Sequence, residues 1–298
     1  MPPLYDTIII GGSYAGLSAA LALGRSLRCV LVIDGGEPCN RFAAHSQNFI
    51  TQDGRPPHQI VADAKAQIKR YDTVYFTTDT AVEMRGKNDA FVITTASGTD
   101  YKGRKLLFAT GLHDTLPDLP GVRACWGNTI IHCPYCHGYE VKQRPTAIFS
   151  NNEHAPFMVR LIGNWTDELT LLTDGPATFD TAAIIAAGIS VDERPLEAVA
   201  HDQGRLKQVQ FKTGKPLSVA AMYLQPAVAQ KCLLPEAHGA ATDEQGFLVV
   251  NNAYETTLEG IYAAGDCTSS FRSVANAVAQ GNLAGAMINH ALLPSLES

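Results

Sequence analysis

Two kinds of hydrophobic pattern alternate along the first seventy residues. Residues 7–10 and 29–33 are short runs that are apolar except for Thr7, and they predict strands buried on both faces of a parallel sheet. Between them, Leu17 and Leu21 belong to a set of apolar residues that recur at helical spacing. A second amphipathic helix is predicted at about 57–70. The opening of the chain is therefore a strand–helix–strand unit of an α/β protein.

The same pattern returns in the second half of the chain. We predict strands at 146–149 and 169–172 around a helix at 155–162, and then a short helix at 182–187. The remaining predicted strands are short, and they either alternate in polarity or lie just before a final helix at 273–291. These strands are 74–76, 80–84, 90–94, 105–109, 189–191, 209–211, 222–224, 247–250 and 260–266. We expect the segments at 189–191, 209–211 and 222–224 to complete one small sheet.

A proline-rich crossing at 117–121 separates the two patterns. Near Gly239 the chain is expected to return to the first domain. The predicted organisation is a discontinuous domain of residues 1–115 and 239–298, interrupted by an inserted domain of residues 116–238.

The first apolar strand ends at a glycine-rich turn. Gly11, Ser13 and Gly16 occupy the three positions of the G-x-G-x-x-G pattern, and Asp34 ends the next strand about twenty residues later. In this context the turn predicts a dinucleotide whose pyrophosphate binds the helix N-terminus, with Asp34 on a ribose hydroxyl. Ser13 replaces the middle glycine, where the backbone must approach the phosphates closely.

The other chemical signal is Cys133-Pro134-Tyr135-Cys136. Two cysteines at this spacing can form a disulfide, and one thiol of such a pair has a lowered pKa. The competing interpretation is half of a zinc site with His132 and His137, but no second C-x-x-C or histidine pair accompanies it. We therefore favour redox chemistry and expect no metal.

Composition restricts the class of protein. Hydrophobic residues make up 46% of the chain and charged residues 17%, which excludes general disorder. A formal charge of −6 without a lysine or arginine run argues against nucleic acid or an anionic membrane as partner. No apolar run approaches the ~18 residues of a membrane span. With seven scattered cysteines and no visible signal peptide, we expect a cytoplasmic protein.

Four motifs in order carry a family resemblance: the turn at 11–16, Ala109-Thr110-Gly111, the C-x-x-C, and Tyr262-Ala263-Ala264-Gly265-Asp266 with its following helix. Together they resemble the low-molecular-weight thioredoxin reductase flavoproteins, nearly end to end. The resemblance implies two Rossmann-like three-layer (ββα) nucleotide-binding domains, with the FAD domain split by the domain that carries the dithiol.

The resemblance also implies site residues. The groups expected to bind FAD are Gly11, Ser13, Gly16, Asp34, Arg41, Asn48, Thr110, Gly111, Gly265 and Asp266, with the last helix starting near Val274 and Ala275 at the flavin pyrimidine ring. Arg41 and Asn48 could equally be solvated loop residues. Cys136 is expected to exchange electrons with flavin and Cys133 with substrate. His137 replaces the family's acid, and its ordinary pKa near 6.5 suits proton transfer.

One part of the family pattern is missing. The second glycine turn reads Ser150-Asn151-Asn152-Glu153-His154-Ala155, and the following strand leads to Asp174 instead of a basic cluster. Asp174 could hold an NADH ribose but no 2′-phosphate. We therefore expect FAD and do not expect NADPH.

The predicted activity is an FAD-dependent dithiol/disulfide oxidoreductase that acts on a thioredoxin-like protein or a small disulfide, with ferredoxin or another donor in place of NADPH. Two alternatives stay open: a dithiol oxidase that passes electrons to oxygen, and a flavin redox sensor without turnover. We also expect a homodimer, which the sequence alone does not determine.

Overall fold

The computed structural model describes residues 4–294. Its strands are β1 (Leu4–Ile10), β2 (Val30–Ile33), β3 (Val74–Thr77), β4 (Ala81–Arg85), β5 (Phe91–Thr95), β6 (Asp100–Phe108), β7 (Leu112–Thr115), β8 (Ile130–Ile131), β9 (Thr146–Phe149), β10 (Leu169–Leu172), β11 (Ser190–Asp192), β12 (Leu196–Asp202), β13 (Arg205–Phe211), β14 (Leu217–Ser218), β15 (Ala221–Leu224), β16 (Ala227–Gln230) and β17 (Ile261–Ala263). Its α-helices are α1 (Tyr14–Arg25), α2 (Pro57–Ile68), α3 (Val122–Cys125), α4 (Pro134–His137), α5 (Ala155–Ile162), α6 (Ala182–Ala186), α7 (Leu234–Ala237) and α8 (Val274–Ala291).

The chain divides into two compact units. The first contains the residues up to Arg41, Arg55–His113 and the residues from Val228 on; the second contains Phe42–Gly54 and Asp114–Ala227. These limits differ from the predicted ones, because residues 42–54 group with the second unit and the return falls near 228 instead of 239. Within the second unit, Phe42 packs so closely on Gly127 that a Cβ added there would lie 2.8 Å from the Cβ of Phe42.

The first unit is built on a seven-stranded mixed sheet. Six of its strands have the order β3-β2-β1-β6-β5-β4, and the seventh, β17, also pairs with β6. Strands β1, β2, β3 and β17 run parallel with their neighbours, and β4 and β5 form an antiparallel hairpin. One edge of β6 is divided between two partners: its first half pairs with β5 and its second half with β17. This arrangement brings the ends of β1, β2, β6 and β17 to one edge of the sheet.

Both faces of this sheet are covered. Ile9 lies in a cluster with residues of α1 and α8, and Ile8 and Ile10 lie in a cluster on the other side. Successive side chains of a strand point to opposite faces, so a strand with a core on each side needs a continuous apolar run. The apolar run at the end of β1 meets this requirement.

Helices α1 and α8 pack with almost no side chain between them. A Cβ on Gly281 would collide with the carbonyl oxygen of Ala15, and one on Gly285 would lie 2.9 Å from the carbonyl oxygen of Ala19. Small residues allow helix backbones to approach this closely, and α8 thereby fixes the position of the first turn of α1.

The second unit contains two sheets. Five parallel strands have the order β11-β10-β9-β15-β8, and β12, β13 and β14 form a separate antiparallel sheet. The prediction that residues 209–211 join 189–191 and 222–224 in one sheet is wrong, because β13 pairs with β12 and β14. Short apolar strands carry no information on their partners, which explains the error.

A second correction concerns residues 247–250, which form no named strand. They contribute only isolated bridges, Leu248 with Thr242 and Val250 with Thr256. Phe247 and Leu248 are nevertheless buried, whereas Val249 is exposed, so burial accounts for only the first half of the apolar run. Across residues 4–294, no helix has both the length and the apolar character to cross a membrane.

We predict that Gly281→Ala destabilises the first unit. The added methyl group has no space beside the carbonyl of Ala15, and overpacking of this kind costs about 1–3 kcal/mol of unfolding free energy. Urea unfolding at one fixed FAD concentration measures the loss. Asn282→Ala on the exposed side of the same helix is the control and should change the free energy by less than about 0.5 kcal/mol. Equal stabilities of the two variants would contradict the packing argument.

Candidate functional site

The glycine turn after β1 is a cradle without room for side chains. A Cβ on Gly11 would collide with the carbonyl oxygen of Ala109, and one on Gly16 with the carbonyl oxygen of Gly11. Gly11 also has a φ of +107°, which an L side chain rarely adopts. Gly12, which the sequence argument did not single out, lies against Asp34: a Cβ there would be 2.6 Å from the carboxylate.

Asp34 is held in place by several donors. Its carboxylate accepts hydrogen bonds from the Gly36 N–H at 3.2 Å and from Lys65 Nζ at 3.1 Å. Burial raises the pKa of Asp34, but these donors outweigh burial, so its pKa is lowered from the ordinary value. The carboxylate is therefore ionised and oriented at neutral pH. Lys65 lies on α2, and no sequence motif pointed to it.

The first turn of α1 has open donors. Ser13 is the N-cap residue of α1, and its side chain makes no capping hydrogen bond. The N–H groups at a helix N-terminus attract a phosphate. At the adjacent end of β6, the hydroxyl oxygen of Thr110 is buried and has no hydrogen-bond partner among the described residues. An unpaired buried hydroxyl costs free energy, so a ligand group at this position would stabilise it.

Gly111 follows with a φ of +67° and packs against Cys39, whose thiol donates to the carbonyl of Leu112 at 2.9 Å. The glycine cradle, the oriented Asp34 and the unpaired Thr110 hydroxyl lie at one sheet edge. These residues fit a dinucleotide with a pyrophosphate and a ribose.

The segment after β17 supplies further groups at this edge. Gly265 has a φ of +87°, and its N–H donates to the side-chain oxygen of Gln280 on α8 at 2.7 Å. Asp266 forms an ion pair with Arg272, whose Nε lies 3.4 Å from the carboxylate. The sequence argument did not predict Gln280 or Arg272. Gln280 lies 15 residues from its partner Gly265, and Arg272 lies outside the segment that carries its partner Asp266.

Helix α8 begins with a side-chain cap. The Ser273 hydroxyl accepts the Asn276 N–H at 3.1 Å, and Val274 and Ala275 form the first turn. Val274 is half-buried and Ala275 is exposed. The first turn therefore offers backbone N–H groups at a helix N-terminus, as the sequence argument required.

Arg41 and Asn48 are less tightly connected to this site. Arg41 lies in a short 3₁₀ segment and donates to the carbonyl of Pro38 at 3.1 Å. Asn48 is exposed, has a φ of +59°, and donates its N–H to Asp53 at 2.7 Å. Asn48 belongs to the second unit, so the structure does not gather it with the glycine turn in one unit.

The C-x-x-C segment forms a disulfide. Cys133 and Cys136 are bonded to each other, with their Cα atoms 5.3 Å apart, which confirms the predicted pairing. Pro134 begins the four-residue helix α4, where its missing N–H costs nothing. The Cys136 N–H points at the Cys133 sulfur at 3.2 Å. Such a donor favours a thiolate on Cys133 once the disulfide opens.

His137 ends this short helix and is half-buried. Burial lowers the pKa of its imidazole, and the nearby Glu140 carboxylate opposes that shift only in part. His137 is therefore neutral at neutral pH and can accept a proton from a thiol. In the described part of the chain, no group of three or more His, Cys, Asp or Glu side chains is placed to hold a metal ion.

The turn after β9 is closed by its own side chains. Asn152 accepts the His154 N–H on its side-chain oxygen at 2.9 Å, directly before α5. Asn151 donates to the carbonyl of Thr173 at 2.9 Å and accepts the Thr178 N–H at 2.8 Å. The N–H of His154, directly before α5, is thus already paired within the turn, although α5 has no side-chain N-cap.

The carboxylates beyond β10 and β11 are also engaged. Asp174 accepts the Leu196 N–H at 2.6 Å, so it serves the fold of its own loop. Asp192 is paired with Arg194 at 2.6 Å, and this partner lowers the pKa of Asp192. Arg194 in turn stacks its guanidinium 3.8 Å from the Phe211 ring centre.

We predict a pH effect on stability from His137. Its pKa is lowered in the folded chain, so between that pKa and about 6.5 the unfolded chain binds more protons. Stability is therefore lost as the pH falls below about 6.5 towards the lowered pKa of the folded chain. Urea midpoints should fall more for the wild type than for His137→Gln, in which this group cannot titrate. Parallel pH curves would contradict the assignment.

Known proteins share this sequence and fold along nearly the whole chain. The pyridine nucleotide-disulphide oxidoreductase family matches residues 5–155 and 177–281. Thioredoxin reductase aclD of Aspergillus oryzae is 32% identical over 302 residues, which cover 95% of this chain and 94% of that protein.

Two solved structures agree with this match. The oxidoreductase from Agrobacterium tumefaciens is 34% identical with a TM-score of 0.91, and covers 98% of this chain and 99% of its own. The putative thioredoxin reductase TrxB from Bacillus anthracis is 30% identical with a TM-score of 0.92, and covers 97% of this chain and 98% of its own. The resemblance and the two Rossmann-type folds are confirmed. The chain belongs to the pyridine nucleotide-disulphide oxidoreductase family, as a thioredoxin reductase-like, FAD-dependent disulfide oxidoreductase.

Proposed function

We propose that the chain exchanges electrons between FAD and a protein or small-molecule dithiol/disulfide through Cys133 and Cys136, without a nicotinamide nucleotide. The observation that carries the proposal is the Asn152 side chain, which takes the His154 N–H at the start of α5. A pyrophosphate at this turn would have to displace that carboxamide. Each hydrogen bond lost or displaced costs on the order of 1 kcal/mol, and several together weaken binding by orders of magnitude.

The first unit provides the contrast within the same molecule. Neither α1 nor α5 has a side-chain N-cap, but Asn152, which corresponds to Ser13 in the two glycine-turn patterns, accepts the His154 N–H on its side-chain oxygen just before α5. We assign FAD to the first unit, held by Gly11, Ser13 and Gly16 at the pyrophosphate and by Asp34 at a ribose. FAD, when bound, supplies a two-electron donor or acceptor for the dithiol.

We assign the two cysteines different roles according to their contacts. Cys133 is assigned to substrate, because the Cys136 N–H stabilises a thiolate on its sulfur. Cys136 is assigned to flavin. Opening the disulfide takes up two electrons and two protons, and the neutral imidazole of His137 can carry one of these protons.

The donor and the substrate follow from this arrangement. With the nicotinamide turn closed, electrons come from a reduced ferredoxin or another protein donor and pass to a thioredoxin-like or small disulfide. The same closed turn favours a second candidate, in which a dithiol substrate supplies the electrons and oxygen removes them. We also propose a homodimer and a cytoplasmic location.

We predict that millimolar NADPH or NADH bleaches the bound flavin negligibly in anaerobic stopped-flow mixing. A small dithiol should bleach it through the Cys133–Cys136 pair, because disulfide exchange does not use the turn at Asn152. Photoreduction of the same sample shows that its flavin can be reduced. Oxygen uptake with the dithiol then distinguishes the oxidase from the reductase.

The control for this experiment is Cys133→Ser/Cys136→Ser, which should bind FAD but lose rapid bleaching by the dithiol. Rapid, saturable bleaching of the wild type by either nicotinamide nucleotide would refute the proposed donor. Equal bleaching of the double variant and the wild type would refute the role of the cysteine pair.

We predict that Asp34→Asn weakens FAD binding roughly ten- to a hundredfold, because a charge-assisted hydrogen bond contributes about 1.5–3 kcal/mol. Fluorescence of released flavin on dilution measures the dissociation constant. Asp63→Asn is the matched control, since Asp63 is paired with Arg55 at 2.7 Å on the exposed side of α2. An unchanged affinity in Asp34→Asn would show that Asp34 does not contact the cofactor.

A further inference from the structure

Trp165 lies directly against the C-x-x-C turn. A Cβ added to Gly138 would be 2.9 Å from the Cε2 and Nε1 atoms of the Trp165 indole, so the indole packs directly on the backbone of Gly138. Tyr135, between the two cysteines, meets the same indole edge-on, with ring centres 5.8 Å apart and an interplanar angle of 86°. The indole therefore contacts the turn both between the cysteines and just after them.

The loop that carries Trp165 is anchored independently of its ring. The backbone N–H of Trp165 donates to the carbonyl of Ile162 at the end of α5, and the backbone carbonyl of Trp165 accepts the Gln143 N–H at 2.8 Å. Thr166 adds a hydrogen bond to the carbonyl of Arg144 at 3.0 Å. The indole is thus presented from a fixed loop.

Core packing does not explain this position. Trp165 is half-buried, and it belongs to none of the hydrophobic clusters formed by residues 4–294. Helix α4 has only four residues, too few to be stable without outside contacts. Tyr135 is 63% exposed, so Trp165 is its principal aromatic neighbour.

We infer that Trp165 is a positioning residue for the redox pair: it holds the turn so that the two thiols stay close after reduction, and thereby favours the disulfide. The inference rests on the proposed role of Cys133 and Cys136. A disulfide is favoured over its dithiol in proportion to the effective concentration of one thiol at the other. A turn that loosens on reduction lowers that concentration and makes the disulfide easier to reduce.

Glutathione measures this equilibrium directly. Two glutathione thiols supply two electrons and two protons, the Cys133–Cys136 bond breaks, two protein thiols form, and a new disulfide joins the two glutathiones. The full-length, FAD-containing protein is equilibrated anaerobically with glutathione buffers. Acid quenching, alkylation of thiols and mass measurement then give the reduced fraction.

In Trp165→Ala we expect the equilibrium constant for reduction to rise about tenfold, which corresponds to a potential about 30 mV more positive. Trp165→Phe keeps a ring over Gly138 and should stay within about threefold of the wild type. Phe157→Ala is the matched control: Phe157 is a half-exposed aromatic residue on α5 that contacts His154, with a ring separation of 4.9 Å. Its loss should leave the equilibrium unchanged.

Gly138→Ala tests the same contact from the other side. Its methyl group would meet the indole and lie 2.6 Å from the carbonyl oxygen of Pro134, while its backbone is helical and accepts alanine. We expect a shift in the same direction, and this variant serves if Trp165→Ala does not fold. If the wild-type pair titrates as a dithiol and the equilibrium constants of Trp165→Ala and Gly138→Ala lie within twofold of the wild type, the role of Trp165 is overturned and the proposed function is not. A wild-type pair that does not titrate as a dithiol overturns the proposed function as well.

Discussion

The close approach of backbone atoms at the start of α1 is the constraint on which the first unit depends. Gly11 packs on the carbonyl of Ala109, Gly16 on the carbonyl of Gly11, and Gly281 on the carbonyl of Ala15, at distances that leave no space for a Cβ. Two strands and two helices therefore share one fixed point. Since helix backbones can be this close only through small residues, the position of α1 relative to the sheet edge is set before any ligand binds.

The two helix N-termini that follow the parallel strands β1 and β9 show what a single position decides. Both helices follow strands inside their sheets, since β1 lies between β2 and β6 and β9 lies between β10 and β15. Neither helix has a side-chain N-cap, but the Asn152 carboxamide accepts the His154 N–H just before α5, and Ser13 makes no side-chain capping hydrogen bond at α1. Under the proposed function, the fold of the second unit persists although its turn binds no nucleotide, because the core beneath the turn does not depend on the turn.

The sequence predicts what is local. The glycine turn, the disulfide pair and the strand–helix order follow from spacing and hydrophobic period, and the structure has them at the expected places. The sequence does not reveal contacts that depend on distant partners: Phe42 packs on Gly127, Lys65 binds Asp34, and Trp165 lies on Gly138. The apolar run at 247–250 predicts a strand but forms none, because the burial of Phe247 and Leu248 produces the same apolar pattern as strand pairing.

The dithiol turn contains only a four-residue helix, and this has a chemical consequence. A four-residue helix contributes little stability of its own, so the protonation and exchange of its groups depend on surrounding elements. His137 is half-buried and has a lowered pKa, and its imidazole is neutral where an acidic side chain would be charged. A neutral imidazole on the residue after Cys136 can accept a proton without adding a negative charge to the turn. Replacing the acid with histidine therefore suits a turn that must open and close its disulfide in either direction.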